Sequence, residues 1–159
     1  MVPTKHATYE TVIERLNALL EGENDEIAAM ATTACELHHA FDSFHWTGFY
    51  RRVGEQLLKV GPYQGHHGCL SIEFGRGVCG KAAREEVTQI VEDVNKLDYH
   101  IACSSNTVSE IVVPVFDGCG QLRAVLDIDS DHPALFDDVD RRYLEAISQL
   151  ITPCFPISA

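Results

Sequence analysis

The apolar residues Val12, Ile13, Leu16, Leu19 and Leu20 recur at helical spacing from Tyr9 onward, and Gly22 stands where a helix C-terminal glycine is expected. A second stripe, Ile27, Met30, Ala31, Ala34, Leu37 and Phe41, predicts another helix, with Asn24 as its cap and the acids Asp25 and Glu26 favourably placed in its first turn. Aromatic-rich residues 44–53 and, after a Gly54-Glu55 turn, residues 56–60 predict a hairpin. A loop of glycines and histidines follows. Residues 70–74 and 88–91 read as short strands on either side of a brief helix near 78–85. Residues 92–108 read as one long irregular crossover, a length that in compact domains is usually functional or disordered. Residues 109–116 and 121–129 predict a second hairpin. Asp137 can then cap a last helix through Val139, Tyr143, Leu144, Ile147 and Leu150, stopped by Pro153. Helices at both ends with strands between them define an α+β domain, the terminal helices covering one face of a mostly antiparallel sheet and the crossover loops lying over the other.

With 159 residues the chain suffices for one domain that buries roughly 70% of the surface its unfolded form exposes. Its 45% hydrophobic and 23% charged content is globular, without a repeat, linker or low-complexity tract, so residues 1–159 are read as a single domain. The formal charge of -12 argues against an extended nucleic-acid groove, which needs clustered Lys and Arg to displace counterions, and suits a cationic or zwitterionic small ligand. The first residues, Met1-Val2-Pro3-Thr4-Lys5-His6, lack the apolar core of a secretory signal, and no run approaches the roughly 20 apolar residues that span a bilayer. The expectation is a cytoplasmic protein that engages neither membrane nor nucleic acid.

Alternation in 121–129 puts Leu122, Ala124, Leu126 and Ile128 on one side and Arg123, Val125, Asp127 and Asp129 on the other. The apolar side should meet the helices. If the 117–120 turn closes with Phe116 opposite Gln121, Glu110 lies directly across from Asp127, and three carboxylates share one patch under the crossover loops. Like charges paired across a sheet are destabilising, so the arrangement calls for a cation or a shared proton. A ligand ammonium serves both needs. The competing reading is a set of solvated acids on an exposed face, and a slip or bulge near Cys119 would separate the pair.

Six cysteines, at 35, 69, 79, 103, 119 and 154, contain no Cys-x-x-Cys pair of the zinc or thioredoxin kind, and in a reducing compartment they start as thiols. Cys35 and Cys154, on or near helices, read as buried packing thiols. Cys103 differs: it lies in the crossover, in Ile101-Ala102-Cys103-Ser104-Ser105, where exposure and hydroxyl donors can support a thiolate. Cys69 and Cys79 also stand in loop-like contexts, and a loop thiol with a second thiol in reach can form a sulfenic acid and resolve it as a disulfide. Gly75-Arg76-Gly77-Val78-Cys79-Gly80 matches G-x-G-x-x-G, but Glu73 in the preceding strand, the short helix and the missing parallel units argue for a tight turn instead of a dinucleotide site. His66 and His67 near Cys69 lack a matching ligand set at metal-binding spacing, so no metal is expected. A Cys103–His100 nucleophile–base pair remains a minor alternative.

Taken together, Trp46-Thr47-Gly48-Phe49-Tyr50, Gly61-Pro62-Tyr63-Gln64-Gly65, residues 74–80, His100-Ile101-Ala102-Cys103, residues 109–114 and residues 125–130 resemble the free methionine-R-sulfoxide reductases, over nearly the whole chain. The resemblance implies a GAF fold, a homodimer, and a pocket between sheet and crossover loops that admits free methionine sulfoxide. It implies Cys103 as catalytic cysteine, Cys69 as its usual resolving partner and Cys79 as the third cysteine. Glu110, Asp127 and Asp129 match the family's acidic substrate-binding residues, and Trp46 and Tyr50 the aromatic wall around the substrate methyl group. The mechanism implied is a Cys103 sulfenic acid, then a disulfide, recycled by a thioredoxin-like dithiol protein, with no metal or organic cofactor. The turn Asp117-Gly118-Cys119-Gly120 is one residue longer than the family's habit, and Cys119 is read as an exposed turn residue. Two rival classes are a GAF module that binds a small ligand without catalysis and a peroxide-sensing thiol protein.

Overall fold

The fold is that of a computed structural model, which describes residues 1–101, 103 and 106–157; Ser104 and Ser105, the hydroxyl donors named above beside Cys103, lie outside the described residues. Thr4 starts the first helix, its Oγ1 accepting the Ala7 amide at 3.2 Å, and α1 runs over Lys5–Leu19. Gly22, at φ +75°, adopts the left-handed conformation that lets the chain turn back after it. The second helix, α2, spans Glu26–Ala40 and is capped by Asp25, not by Asn24 as expected. Asp25 Oδ1 reaches the Ala28 amide at 2.9 Å, whereas the Asn24 and Asp25 amides are both taken by Glu23 Oε1.

The strands are β1 (Trp46–Arg52), β2 (Leu57–Gln64), β3 (Ser71–Glu73), β4 (Gln89–Val91), β5 (Ser109–Phe116) and β6 (Leu122–Ser130), with helix α3 at Gly77–Glu85 and α4 at Asp138–Ile151. They form one six-stranded sheet in the order β3-β2-β1-β6-β5-β4, every described pair antiparallel. The edge strands are three residues each, too short to template another chain. β2 continues four residues past its expected end at Val60. A bulge opposite Phe49 absorbs Gly61 and Pro62, so a proline without an amide costs the ladder nothing there. The crossover expected to be irregular throughout holds a 3-10 turn at Val94–Lys96, capped by Asp93.

Two apolar clusters lie on opposite faces of the sheet. Tyr9, Leu16, Met30, Leu37, Leu144 and Ile147 from α1, α2 and α4 pack on Phe49, Ile111, Leu126 and Ile128. On the other face Val78, Cys79 and Ala82 of α3 pack on Tyr50, Leu58, Val112 and Val125, so that face carries a helix as well as the crossover loops. Asp137 caps α4 in a full capping box with Asp140, and Lys5 Nζ bridges both acids at 2.9 and 2.7 Å while the Tyr9 hydroxyl donates to Asp140 at 2.7 Å, locking the two ends of the chain together.

Candidate active site

The floor of the site comes from the β5–β6 hairpin. Its turn is closed by Asp117, whose Oδ1 accepts the Cys119 and Gln121 amides at 2.9 and 3.0 Å, with Gly120 left-handed at φ +79°. Arg123 is then bulged: Val115 faces Ala124 but Phe116 faces Leu122. Two expectations change as a result. Leu122, placed by alternation on the helix face, joins the opposite cluster with Val125. Glu110 pairs with Asp129, and Asp127 stands across from Val112. The displacement from the expected pairing is two residues, an even number, so Glu110, Asp127 and Asp129 still share one face. The solvated-acid alternative fails for two of them, because Glu110 is only 6% and Asp127 4% exposed; Asp129 is half-buried.

These acids hold their protons far above the usual carboxylate range. Burial is the main cause for all three, reinforced by the Asp127 charge at Glu110, the Asp129 charge at Asp127, and the Glu110 charge at Asp129. Cys79, near the start of α3, points into the same patch with its Sγ 3.9 Å from Glu110 Oε1, and burial with the neighbouring acids raises its thiol pKa too. Such a thiol is a poor nucleophile until a positive charge arrives. Cys79, Glu110 and Asp127 offer ligand atoms within 4.8 Å of one another, a spacing open to a cation; His66 and His67 belong to no such group among the described residues.

β1 supplies one wall. Trp46 and Tyr50, two positions apart from Gly48 on the same face, stack with ring centres 5.6 Å apart, and Tyr63 of β2 stacks on the other side of Trp46 at 5.2 Å. The Trp46 indole N–H donates to the His66 carbonyl at 2.8 Å, fixing the ring and tying down the loop after β2. That loop passes close over the aromatics. A Cβ on Gly68 would stand 2.7 Å from the Tyr50 hydroxyl and 3.2 Å from the indole, so this position has room for no side chain.

Cys69 and Cys103 form a disulfide, with Cα atoms 5.2 Å apart. Gly77, left-handed at φ +65°, begins α3 and donates its amide to the Tyr99 carbonyl, while a Cβ there would press within 3.0 Å of Ile101. Glycine at 77 therefore lets the crossover lie against α3 and carry Cys103 to Cys69, which is the tight-turn role expected of the glycine run. The cavity, which stays partly open to solvent, is about 40 Å³, room for a few waters only.

Seven of the eight residues singled out in the sequence line this cavity: Trp46, Tyr50, Cys79, Cys103, Glu110, Asp127 and Asp129; Cys69 reaches it through Cys103. The sequence reading did not assign Gly68, Thr107 or His67 to the site, and kept His100 only as a base for Cys103. The Cys-His signals were present, but adjacency in the chain says nothing of which way a loop side chain points. Cys119 is exposed in its turn and Cys154 buried, as expected, whereas Cys35 is only half-buried, its Sγ 3.8 Å from His39 Nδ1 on the outer side of α2.

A single curled antiparallel sheet with helices on one face and a thiol-lined cavity on the other is the architecture of a GAF domain, and the GAF domain family matches residues 23–154. Among relatives, GAF domain-containing protein A of Dictyostelium discoideum is 43% identical, covering 93% of this chain and 92% of its own. The free methionine-R-sulfoxide reductase of Saccharomyces cerevisiae is 40% identical, covering 89% of this chain and 84% of its own. The X-ray structure of the free methionine-R-sulfoxide reductase of Neisseria meningitidis in complex with its substrate superposes with a TM-score of 0.91 at 40% identity, over 98% of this chain and 92% of that one. The chain belongs to the free methionine-R-sulfoxide reductase family, whose members are oxidoreductases. No helix among the described residues is long and apolar enough to cross a membrane.

Proposed function

We propose that this protein reduces the R-sulfoxide of free methionine to methionine, with Cys103 as the attacking thiol and Cys69 as the resolving one. The observation that carries the reading is the meeting, in one cavity, of the bonded pair Cys69–Cys103 and three acids whose pKa values burial raises well above the usual carboxylate range. Sulfoxide reduction needs both: a nucleophile for sulfur and an acid for the departing oxygen.

In the reduced enzyme the Cys103 thiolate attacks the sulfoxide sulfur while Glu110 or Asp127 protonates the oxygen. Oxygen passes to the cysteine: methionine leaves as the thioether and Cys103 is left as a sulfenic acid. The Cys69 thiol displaces that hydroxyl, giving the disulfide and one water. Two electrons are then supplied by a dithiol protein of the thioredoxin kind, through a mixed disulfide, and both thiols return. An ionised member of the acid patch receives the substrate ammonium, and the Trp46–Tyr50 wall packs the S-methyl group. The homodimer and the thioredoxin-like reductant enter this reading through the family resemblance.

A peroxide-sensing pair would also form the Cys69–Cys103 bond, but it has no use for buried acids raised in pKa beside an aromatic wall. The test is methionine release from the separated R and S epimers of free methionine sulfoxide with dithiothreitol as reductant, and Cys103→Ser as control. Release from R alone, lost in the variant, is the expected result. Consumption of neither epimer by freshly reduced protein overturns the proposal, and disulfide formation with peroxide but not with sulfoxide would move the chain to the sensor class.

A further inference from the structure

Buried polar atoms are almost always hydrogen-bonded, so the exceptions locate unmet demand. Among the described residues, the buried side-chain nitrogens and oxygens without a hydrogen-bond partner include Thr33 Oγ1, Asp117 Oδ2, Arg141 Nε and Ser148 Oγ, none in a residue that lines the cavity. Two others belong to residues that line it: Asp127 Oδ1 and His100 Nδ1. One is an acid oxygen and the other an imidazole nitrogen, on opposite sides of chemistry: the first can take an ammonium, the second can donate to an anion.

A free amino acid presents both charges. Its ammonium is welcome in a cavity lined by Glu110, Asp127 and Asp129, but its carboxylate is repelled there unless a donor meets it. The indole N–H of Trp46 is already committed to the His66 carbonyl. His67, the other imidazole on the lining, is exposed to solvent, where a hydrogen bond to a ligand replaces one to water. His100 is half-buried with its Nδ1 fully so. Burial holds its pKa below the ordinary histidine range, so the ring is neutral at physiological pH and can present an Nδ1–H.

Resting on the free-methionine reading above, we propose that His100 is a substrate-binding residue that donates Nδ1–H to the α-carboxylate, forming with Asp127 a zwitterion clamp that selects free amino acid over methionine in a polypeptide. A peptide-bound residue has neither charge and would leave both atoms unpaired, which is the strong form of discrimination by a polar site.

The experiment compares kcat/KM for free methionine R-sulfoxide and for its decarboxylated counterpart, 3-(methylsulfinyl)propylamine, in the wild-type, His100→Ala and His100→Gln proteins. A hydrogen bond to a charged group in such a site is worth about 10- to 150-fold. His100→Ala should therefore shrink the preference for the carboxylate-bearing substrate by about tenfold or more, chiefly through KM, with far less loss on the amine; His100→Gln, which restores an N–H donor, should recover part of it. A preference that survives in His100→Ala, or an equal loss on both substrates, overturns the proposal. If the wild-type protein turns over neither compound, the activity reading fails, and calorimetry of methionine against 3-(methylthio)propylamine on reduced wild-type and His100→Ala protein decides the clamp. Discrimination by the wild type that the variant lacks would sustain it, and its absence would overturn it.

Discussion

Asp127→Asn should make the reduced protein more stable, and increasingly so as pH rises from 5 to 7. Asp127 is buried beneath the crossover beside Glu110 and Asp129, and burial together with the Asp129 charge keeps it protonated well above the usual carboxylate range. In the unfolded chain the same group ionises near pH ~4. Between those limits the folded state binds a proton that the unfolded state has released, so stability falls with rising pH, by about 1.4 kcal/mol per unit for one such group. Over two units the cost can reach about 2.7 kcal/mol at most, and an asparagine, which has no proton to lose, does not incur it. For a chain of this size about 2–4 °C of melting temperature accompanies each kcal/mol, so the gap between variant and wild type should widen steadily from pH 5 to pH 7, by at most about 5–11 °C. Thermal unfolding of both proteins in a thiol-free reductant across that range is the assay. A gap that stays constant with pH, or narrows, would show that Asp127 is ionised in the folded state and would remove the proton reservoir from the mechanism.

Three other perturbations test separate parts of the structure. Gly68→Ala drives a methyl toward the Tyr50 hydroxyl and the Trp46 indole, and should destabilise by about 1–3 kcal/mol and raise KM more than it lowers kcat; normal KM would mean the loop yields freely. The oxidised protein, whose cavity beside Cys103 offers only about 40 Å³, should give no binding heat with free methionine, while the reduced protein should bind it; equal heats in both states would show that the disulfide does not limit access to the cavity. Asp137→Ala removes the capping box of α4 and a Lys5 partner, and should cost about 1–2 kcal/mol in denaturant midpoint without altering substrate preference.

The secondary structure was legible wherever a period ran unbroken. Residues 109–116 coincide with β5, and Asp137 caps α4, because an apolar run and a cap followed by a helical stripe have few competing readings. The misses fall where a single residue breaks the count. Gly61-Pro62 reads as a strand end, but a bulge hides both residues within β2. Asn24 and Asp25 are each acceptable caps, and the choice went to the residue whose carboxylate reaches the third amide of the helix while Glu23 occupied the amides before it. Of the site, the acids follow from alternation and pairing on β5 and β6, whereas Trp46 and Tyr50 came only with the family resemblance. The approach of Cys69 to Cys103 depends on glycines at 68 and 77 that let two loops fold over the sheet, and no linear spacing encodes that distance.

The acid patch shows why a site can be legible when its register is not. The bulge at Arg123 changed the partner of every residue in the hairpin beyond it, and moved Leu122 to the other face. Yet which side of a strand a residue faces depends only on whether the count along it is odd or even, and the net displacement at Glu110 was two. Any even error leaves Glu110, Asp127 and Asp129 together, while any odd error would have put Glu110 among the apolar side chains under α2 and α4, where an unpaired carboxyl costs several kcal/mol. Burial on both faces therefore selects against the odd registers much more strongly than it discriminates among even ones. The convergence of three carboxylates was thus fixed by parity, and the turn at Asp117 through Gly120, with the bulge at Arg123, had only to choose which pair stands face to face.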